Sequence, residues 1–329
     1  MKVATRKVSL KEIPNFYKNN IDGILFDVDG VLVDTRLSYN LAIKKTVKHI
    51  LDILNMAKPI KSVSDNIILK MRRTGGFNND TDTTYALILT SLVSQIANPK
   101  ELESLLFGAP NKIDARGIMS MEKYLSTLYS RATVKKMKHK LGYPGPVGES
   151  IVTTVFDEVF YGAELYNQRY GIYPKYYFGD GLIDNEKVVI TKRTARFLLD
   201  KFNNSIGVVS GRSKLAFEYS LQGVLSTFNQ EACIFLEDEP RKNAKPNPYG
   251  IRKAMKRMLM KHAIYVGDSV EDIIMVEKAK KEMGLDVEFI GVYGSSAKPM
   301  ETRKALRQNG AELLLRSVNR LPNVLNKVM

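Results

Sequence analysis

Cysteine is almost missing from this chain. Cys233 is the only one in 329 residues, so no intrachain disulfide can form. Its apolar setting, Ala232-Cys-Ile-Phe-Leu236, suits a buried and inert thiol. Long apolar runs are missing too, and none approaches the roughly 20 residues that span a bilayer. The N-terminus, Met1-Lys-Val-Ala-Thr-Arg-Lys7, is basic but has no apolar stretch behind it, so it does not read as a secretory leader. These absences set the expectation of a cytoplasmic protein with no membrane partner. Histidine is scarce, and His49, His139 and His262 are too scattered to form a metal-binding pair. There is no zinc-ligand spacing, RNA-binding aromatic signature or helix-turn-helix signal. Internal repeats and low-complexity tracts are absent as well.

Positive charge, by contrast, is plentiful. The net charge is +15 and the pI is near 9.6, a balance that can attract nucleic acid, acidic lipid or phosphorylated substrate. The basic residues are spread along the chain, however. Their tightest cluster, Lys135-Lys-Met-Lys-His-Lys140, looks like one exposed helix face. The reading is a solvated surface, with nucleic acid not expected as a partner. Hydrophobic residues at 44% and charged residues at 26% suit a globular protein. The length allows one large domain or two modest ones.

Periodicity divides the chain. Ile24-Leu-Phe26 is a short apolar run bounded by glycine and acid, which predicts a buried strand. From Arg36 to about Phe178 the apolar spacing is helical almost throughout. Ile43, Val47, Ile50 and Leu54 begin it, Ser64 can cap a helix running to Arg73, and a helix over Glu149–Tyr161 ends it. Past Gly179 the pattern alternates strand and helix, with strands at 206–209, 233–236, 264–266, 287–292 and 313–315. Such alternation predicts an α/β fold, a doubly wound, Rossmann-like parallel sheet with helices on both faces. The expected division is an α/β core of residues 1–35 and 180–329, with an all-helical domain, 36–179, inserted into it.

Chemistry gathers at the predicted strand ends. Asp27 and Asp29 stand two apart where the first strand stops, so both point to one side. Two neighbouring carboxylates in apolar surroundings repel each other; they persist if a cation lies between them or if one is protonated. Read alone, the stretch also suits a strand running into an acidic turn at Gly30. Further on come Ile206-Gly-Val-Val-Ser210-Gly211-Arg212, then Lys245-Pro-Asn-Pro248, then Ile264-Tyr-Val-Gly267-Asp268-Ser-Val-Glu-Asp272. Asp27, Ser210 and Asp268 thus all sit at C-terminal strand ends, where parallel sheets bind their ligands.

The four motifs DVDGV, VSGR, KPNP and GDSVED, in that order, resemble the phosphatase branch of the haloacid dehalogenase superfamily. The resemblance covers the N-terminal strand and everything from about Gly181 onward. It implies roles for the residues. Asp27 is the implied nucleophile. Asp29 protonates the leaving alcohol and then acts as base for water. Ser210 and the Gly211 N–H bind phosphate oxygens, and Lys245 neutralises charge on nucleophile and phosphate. Asp268 holds Mg²⁺ together with the Asp27 side chain and the Asp29 main-chain carbonyl, with Asp272 a further acid acting directly or at one remove. Oxygen-only ligation with positions open for water and phosphate suits Mg²⁺.

The resemblance further implies that the helical stretch is a type-1 cap, large for its class, inserted after the first motif. Within it, Arg73-Thr-Gly-Gly-Phe-Asn-Asn-Asp80 is similar to the cap loop of an uncharacterised phosphatase-like subgroup, making Arg73, Asn78 and Asn79 candidate substrate contacts. The expected activity is Mg²⁺-dependent hydrolysis of a small phosphorylated metabolite through an aspartyl-phosphate. A phosphomutase or phosphotransferase using the same intermediate, or a non-catalytic binding protein on the same fold, are the alternatives. A dehalogenase is disfavoured, because that branch lacks an acid at the position of Asp29.

Overall fold

The computed structural model describes residues 21–56, 63–77, 79–96, 98–108 and 112–328. In chain order, β1 (Gly23–Phe26) and a short β2 (Val33–Asp34) come first. Among the described residues seven α-helices follow: α1 (Tyr39–Ile53), α2 (Asp65–Arg73), α3 (Asp80–Ser94), α4 (Pro99–Phe107), α5 (Ile118–Leu128), α6 (Arg131–Leu141) and α7 (Ile151–Tyr170). Strands and helices then alternate: β3 (Lys187–Val188), α8 (Lys192–Phe202), β4 (Ile206–Ser210), α9 (Lys214–Leu221), β5 (Ile234–Phe235) and α10 (Tyr249–Arg257). The last are β6 (His262–Gly267), α11 (Val270–Met283), β7 (Asp286–Val292), α12 (Pro299–Gln308), β8 (Leu313–Leu315) and α13 (Leu321–Val328). The chain forms two compact units. One takes the described residues up to Arg36 together with those from Glu186 onward, and the other takes those between Leu37 and Asn185.

In the α/β unit, six parallel strands lie in the order β5-β4-β1-β6-β7-β8. Alternation along each strand divides the core into two. Ile24, Phe26, Ile206, Val208, Ile264 and Val266 face one side, where they pack with Leu198 and Phe202 of α8, Phe217 of α9 and Val324 of α13. Leu25, Val209, Ala263 and Tyr265 face the other, against Ile251 and Met255 of α10 and Ile273 and Val276 of α11. Both faces are covered, which is why the strands read as continuous apolar runs rather than as alternating ones. The strand order switches direction at β1. The chain steps outward from β1 to β4 and β5, then crosses back to β6, and a ligand crevice opens at such a point. The two-residue β2 and β3 pair antiparallel, Val33 opposite Val188; strands this short carry no periodic signal.

In the helical unit α3 is the axis. It is buried along most of its length and packs against α1, α5, α6 and α7. Side chains of Ser64, Asn79, Asn98, Ser130 and Ser150 accept backbone N–H bonds at the starts of α2, α3, α4, α6 and α7, which satisfies donors that a helix end leaves open. The last helix of this unit is longer than its spacing predicts: α7 runs to Tyr170 rather than stopping at Tyr161. Gly162 (φ 70°, ψ 174°) kinks it instead of ending it, and a Cβ there would meet the Gly181 backbone nitrogen at 2.5 Å. Gly171, in the left-handed region, supplies the true stop.

Candidate active site

The site is built where β1, β4 and β6 end. Asp27 follows β1 and is buried. Its N–H donates to the Val266 carbonyl (2.8 Å), fixing it to β6. Its Oδ1 accepts the N–H of Val28 (2.7 Å) and its Oδ2 lies 2.7 Å from Lys245 Nζ. The same ammonium is 2.7 Å from Asp272 Oδ1 and sits over the Tyr265 ring. Burial alone would lower the Lys245 pKa, but the carboxylates of Asp27 and Asp272 outweigh it and hold the ammonium well above its usual range. Asp27 is pushed up, first by burial and then by the charge of Asp272, against the pull of Lys245 and a hydrogen bond with Ser210.

Ser210 closes β4 and is fully buried. Gly211 follows it with open space where a side chain would be. A phosphate oxygen has room there beside a hydroxyl and a backbone N–H.

Asp268 follows β6. Its carboxylate accepts no hydrogen bond and makes no ion pair among the described residues, and it lies against Gly30. A Cβ at Gly30, whose φ is +76°, would be 2.0 Å from Asp268 Oδ2. Glycine is therefore needed at 30 twice over, for the backbone angle and for the approach of the acid. Burial, then the charges of Asp27 and Asp272, push the Asp268 carboxyl well above the usual carboxylate range. Asp27, Asp268 and Asp272 bring oxygens within 4.8 Å of one another. A poorly solvated acid with no donor of its own, between two others, is what a hard divalent cation would relieve.

Asp272 is placed differently from Asp268. It is wholly buried, and its Oδ2 accepts from the N–H groups of Asp268 and Ser269 and from the Ser269 hydroxyl. Its Oδ1 accepts from Lys245 and from the Tyr265 hydroxyl. With both oxygens engaged, its work is to hold Lys245 and to shape the turn that presents Asp268, while Ser269 and Asp272 together form a capping box on α11. Tyr265 was not singled out by sequence reasoning. It looks like any strand residue until its hydroxyl is seen to bridge Asp272 and the Val209 carbonyl.

Asp29 is 30% exposed at its side chain and pairs with Arg212, which is fully buried. Burial is the largest influence on its carboxyl and raises it; Arg212 opposes that and Asp27 adds to it, leaving it near 6. Near neutral pH both its protonated and its ionised forms are therefore populated. Arg212 also pairs with Glu186. Neither residue was assigned a role from sequence, although Arg212 lies within the VSGR motif.

The candidates in the helical unit lie in other surroundings. Arg73 is the last residue of α2. Asn79 is the N-cap of α3, its Oδ1 accepting the Asp82 N–H at 3.0 Å. Asn78 lies outside the described residues. At Gly76 a Cβ would meet Gly117 N at 2.4 Å, so that glycine permits the close approach of one backbone to another.

Comparison with known proteins bears on the α/β unit. Residues 187–285 match the haloacid dehalogenase-like hydrolase family. That stretch lies within the α/β unit, which is thus similar to a haloacid dehalogenase-like hydrolase core over this part of its length. The match takes in Ser210, Lys245, Asp268 and Asp272 and stops short of Asp27 and Asp29. Among solved structures, the phosphatase Tt82 from Thermococcus thioreducens is similar at 22% identity and a TM-score of 0.54, covering 86% of this chain and 98% of that one. An X-ray structure from the Northeast Structural Genomics Consortium is similar at 15% identity and a TM-score of 0.58, covering 94% of this chain and 99% of that one. At such identities these likenesses establish the fold. No curated protein matches the chain. No described helix is long and apolar enough to cross a membrane.

Proposed function

We propose that this protein is a haloacid dehalogenase-like hydrolase that acts as a Mg²⁺-dependent phosphatase of a small phosphorylated metabolite. The observation that carries the reading is the buried Asp27 carboxylate, bonded to Lys245 and beside the unpartnered carboxylate of Asp268. Asp27 attacks phosphorus, and the bond from phosphorus to the leaving oxygen breaks. Asp29 gives its proton to that oxygen, so the product departs as an alcohol. Asp29, now ionised, takes a proton from water as the water attacks the aspartyl-phosphate, which releases phosphate and restores Asp27. Ser210 and the Gly211 N–H hold phosphate oxygens, and Lys245 keeps a positive charge against nucleophile and phosphate throughout. Asp27, Asp268 and the Asp29 main-chain carbonyl would hold Mg²⁺, with Asp272 supporting them through Lys245 and the Asp268 turn. When bound, the ion supplies charge that offsets the repulsion between a carboxylate and a phosphate. The single buried thiol, whose pKa burial pushes up to about 12, suits a reducing compartment, and the proposed location is the cytoplasm.

The test is a panel of phosphorylated metabolites with Mg²⁺, read by phosphate release. Acid-quenched samples of a turning-over reaction are expected to carry phosphate on Asp27. Phosphate passed to a second alcohol instead of water would convert the reading to a phosphotransferase. Silence across the whole panel would count against both.

A further inference from the structure

Arg212 is the largest fully buried side chain among the described residues, and all three of its guanidinium nitrogens are engaged. Nε and Nη2 both donate to Asp29 Oδ1, at 3.0 and 2.6 Å. Nη2 and Nη1 donate to the two oxygens of Glu186, each at 2.8 Å. Nη1 also reaches the Ser220 hydroxyl at 2.8 Å, and that hydroxyl in turn donates to Glu186 (2.6 Å). Glu186 is brought there by the β2–β3 pairing, which sets Asp34 opposite Lys187 next to the turn that carries Asp29. Stability does not account for such an arrangement well, because well-packed apolar residues replace buried ion pairs at little or no cost.

Direction does account for it. The terminal torsion of an aspartate is broad, so a lone carboxylate wanders. Here both Arg212 bonds land on Oδ1, while Oδ2 has no hydrogen-bond partner among the described residues. The side chain is partly exposed and Oδ2 is not a buried orphan atom, so it faces solvent. One oxygen of the acid is anchored and the other is presented. We propose that Arg212, oriented by Glu186, is a positioning residue that aims Asp29 Oδ2 at the leaving-group oxygen and then at the attacking water. This rests on the phosphatase reading above. Lysine cannot replace the arginine, because a single ammonium lacks the planar fork that bonds Asp29 and Glu186 together.

The experiment compares two esters of similar shape in the presence of Mg²⁺. In 2,4-dinitrophenyl phosphate the leaving group departs without a proton; in phenyl phosphate it needs one. General acid help is worth roughly a hundredfold or more. For Arg212→Lys, phenyl phosphate turnover is expected to fall by about 50-fold or more. The pre-steady-state burst of dinitrophenolate should stay within about threefold of the parent, while the later steady state slows because water is no longer activated. Glu186→Gln should show the same pattern more weakly, and it carries the test if Arg212→Lys melts near the assay temperature. Asp29→Asn gives the reference pattern. Burst and phenyl ester falling together would overturn the clamp by showing that these residues support the whole site, and so would no change in either. A parent protein that turns over neither ester, nor any member of the metabolite panel, would overturn the phosphatase reading and the clamp with it. Uniform loss in the variants of an active parent overturns the clamp alone.

Discussion

Glu158 in the helical unit and Asp268 in the α/β unit both carry carboxylates into poorly solvated surroundings, and they are treated in opposite ways. Glu158 is completely buried and accepts three backbone N–H bonds, from Lys175 at 2.6 Å and from Tyr176 and Tyr177 at 2.8 Å. Its neighbour Asp157 accepts the Tyr170 hydroxyl at 2.5 Å, and Asp82 accepts that of Tyr143. Every one of these acids has a donor, and together they tie loops to helices. In the α/β unit Asp27 and Asp272 share Lys245, Asp29 and Glu186 share Arg212, and Asp268 has no donor among the described residues. Five carboxylates therefore face two cations. A fold tolerates a buried acid that is supplied with donors, whereas an excess of negative charge in one place marks a candidate binding site.

The comparison can be broken most forcefully at Asp27. Asp27→Asn should lower phosphate release by about a thousandfold or more, because an amide is a poor nucleophile and a weak ligand. Its melting temperature should not fall, since one repelling charge has gone. Near-normal turnover in that variant would remove the basis for the mechanism. Next in size is the metal. EDTA should abolish activity and Mg²⁺ restore it, with Ca²⁺ a poor substitute because its looser coordination misplaces nucleophile and phosphate. Asp268→Asn sharpens the point by separating function from stability. Activity should drop by about a hundredfold, while in EDTA the variant should be more stable than the parent by ~1–2 kcal/mol, the scale of one relieved carboxylate repulsion. Mg²⁺ should raise the melting temperature of the parent and leave that of the variant where it is. A destabilised Asp268→Asn would place Asp268 with Glu158 among the structural acids.

Glu158→Gln is the converse experiment. The amide nitrogen would face a backbone N–H, and charge-assisted bonds would be lost, so the variant should lose about 2–4 kcal/mol of stability. Turnover per folded molecule, measured on a small unspecific ester, should be unchanged. A selective loss of turnover at unchanged melting temperature would show that the two kinds of acid cannot be told apart by their donors.

Sequence reading reached the sheet and its strand-end residues because those depend on local pattern. Ile24-Leu-Phe26 reads as a buried strand whatever surrounds it, and Gly267-Asp268 ends the next one in the same way. Ser64 is legible as an N-cap from its own chemistry, and the structure gives it the Ile67 N–H. What was not legible depends on partners far away in the chain. Arg212 is printed in plain sight, but nothing near it indicates that Asp29 and Glu186 converge on it. Asp272 looks like any acid four residues after Asp268 until five donors are counted around it. Gly162 kinks α7 because another stretch of backbone, at Gly181, lies against it, and no periodicity within the helix carries that information.

The smallest expected effect is at Asn79, and there two origins of one residue's importance give different outcomes. A role in substrate choice, the expectation set by the motif around it, predicts selective loss on the true substrate. The structure gives Asn79 a sufficient local duty: its Oδ1 accepts the Asp82 N–H at the start of α3, the helix around which the unit is packed. Loss of an N-cap costs about 1 kcal/mol. Asn79→Ala should therefore lower stability by that amount, readable as a shift in denaturation midpoint with an unchanged slope. Asn79→Ser and Asn79→Asp both keep an oxygen at the cap and should recover most of it, aspartate slightly more because its charge also suits the helix N-terminus. If the serine and aspartate variants are as stable as the parent but handle the true substrate about tenfold worse, then the amide itself is read by a ligand, and the contrast between structural and functional polar groups runs through the helical unit as well.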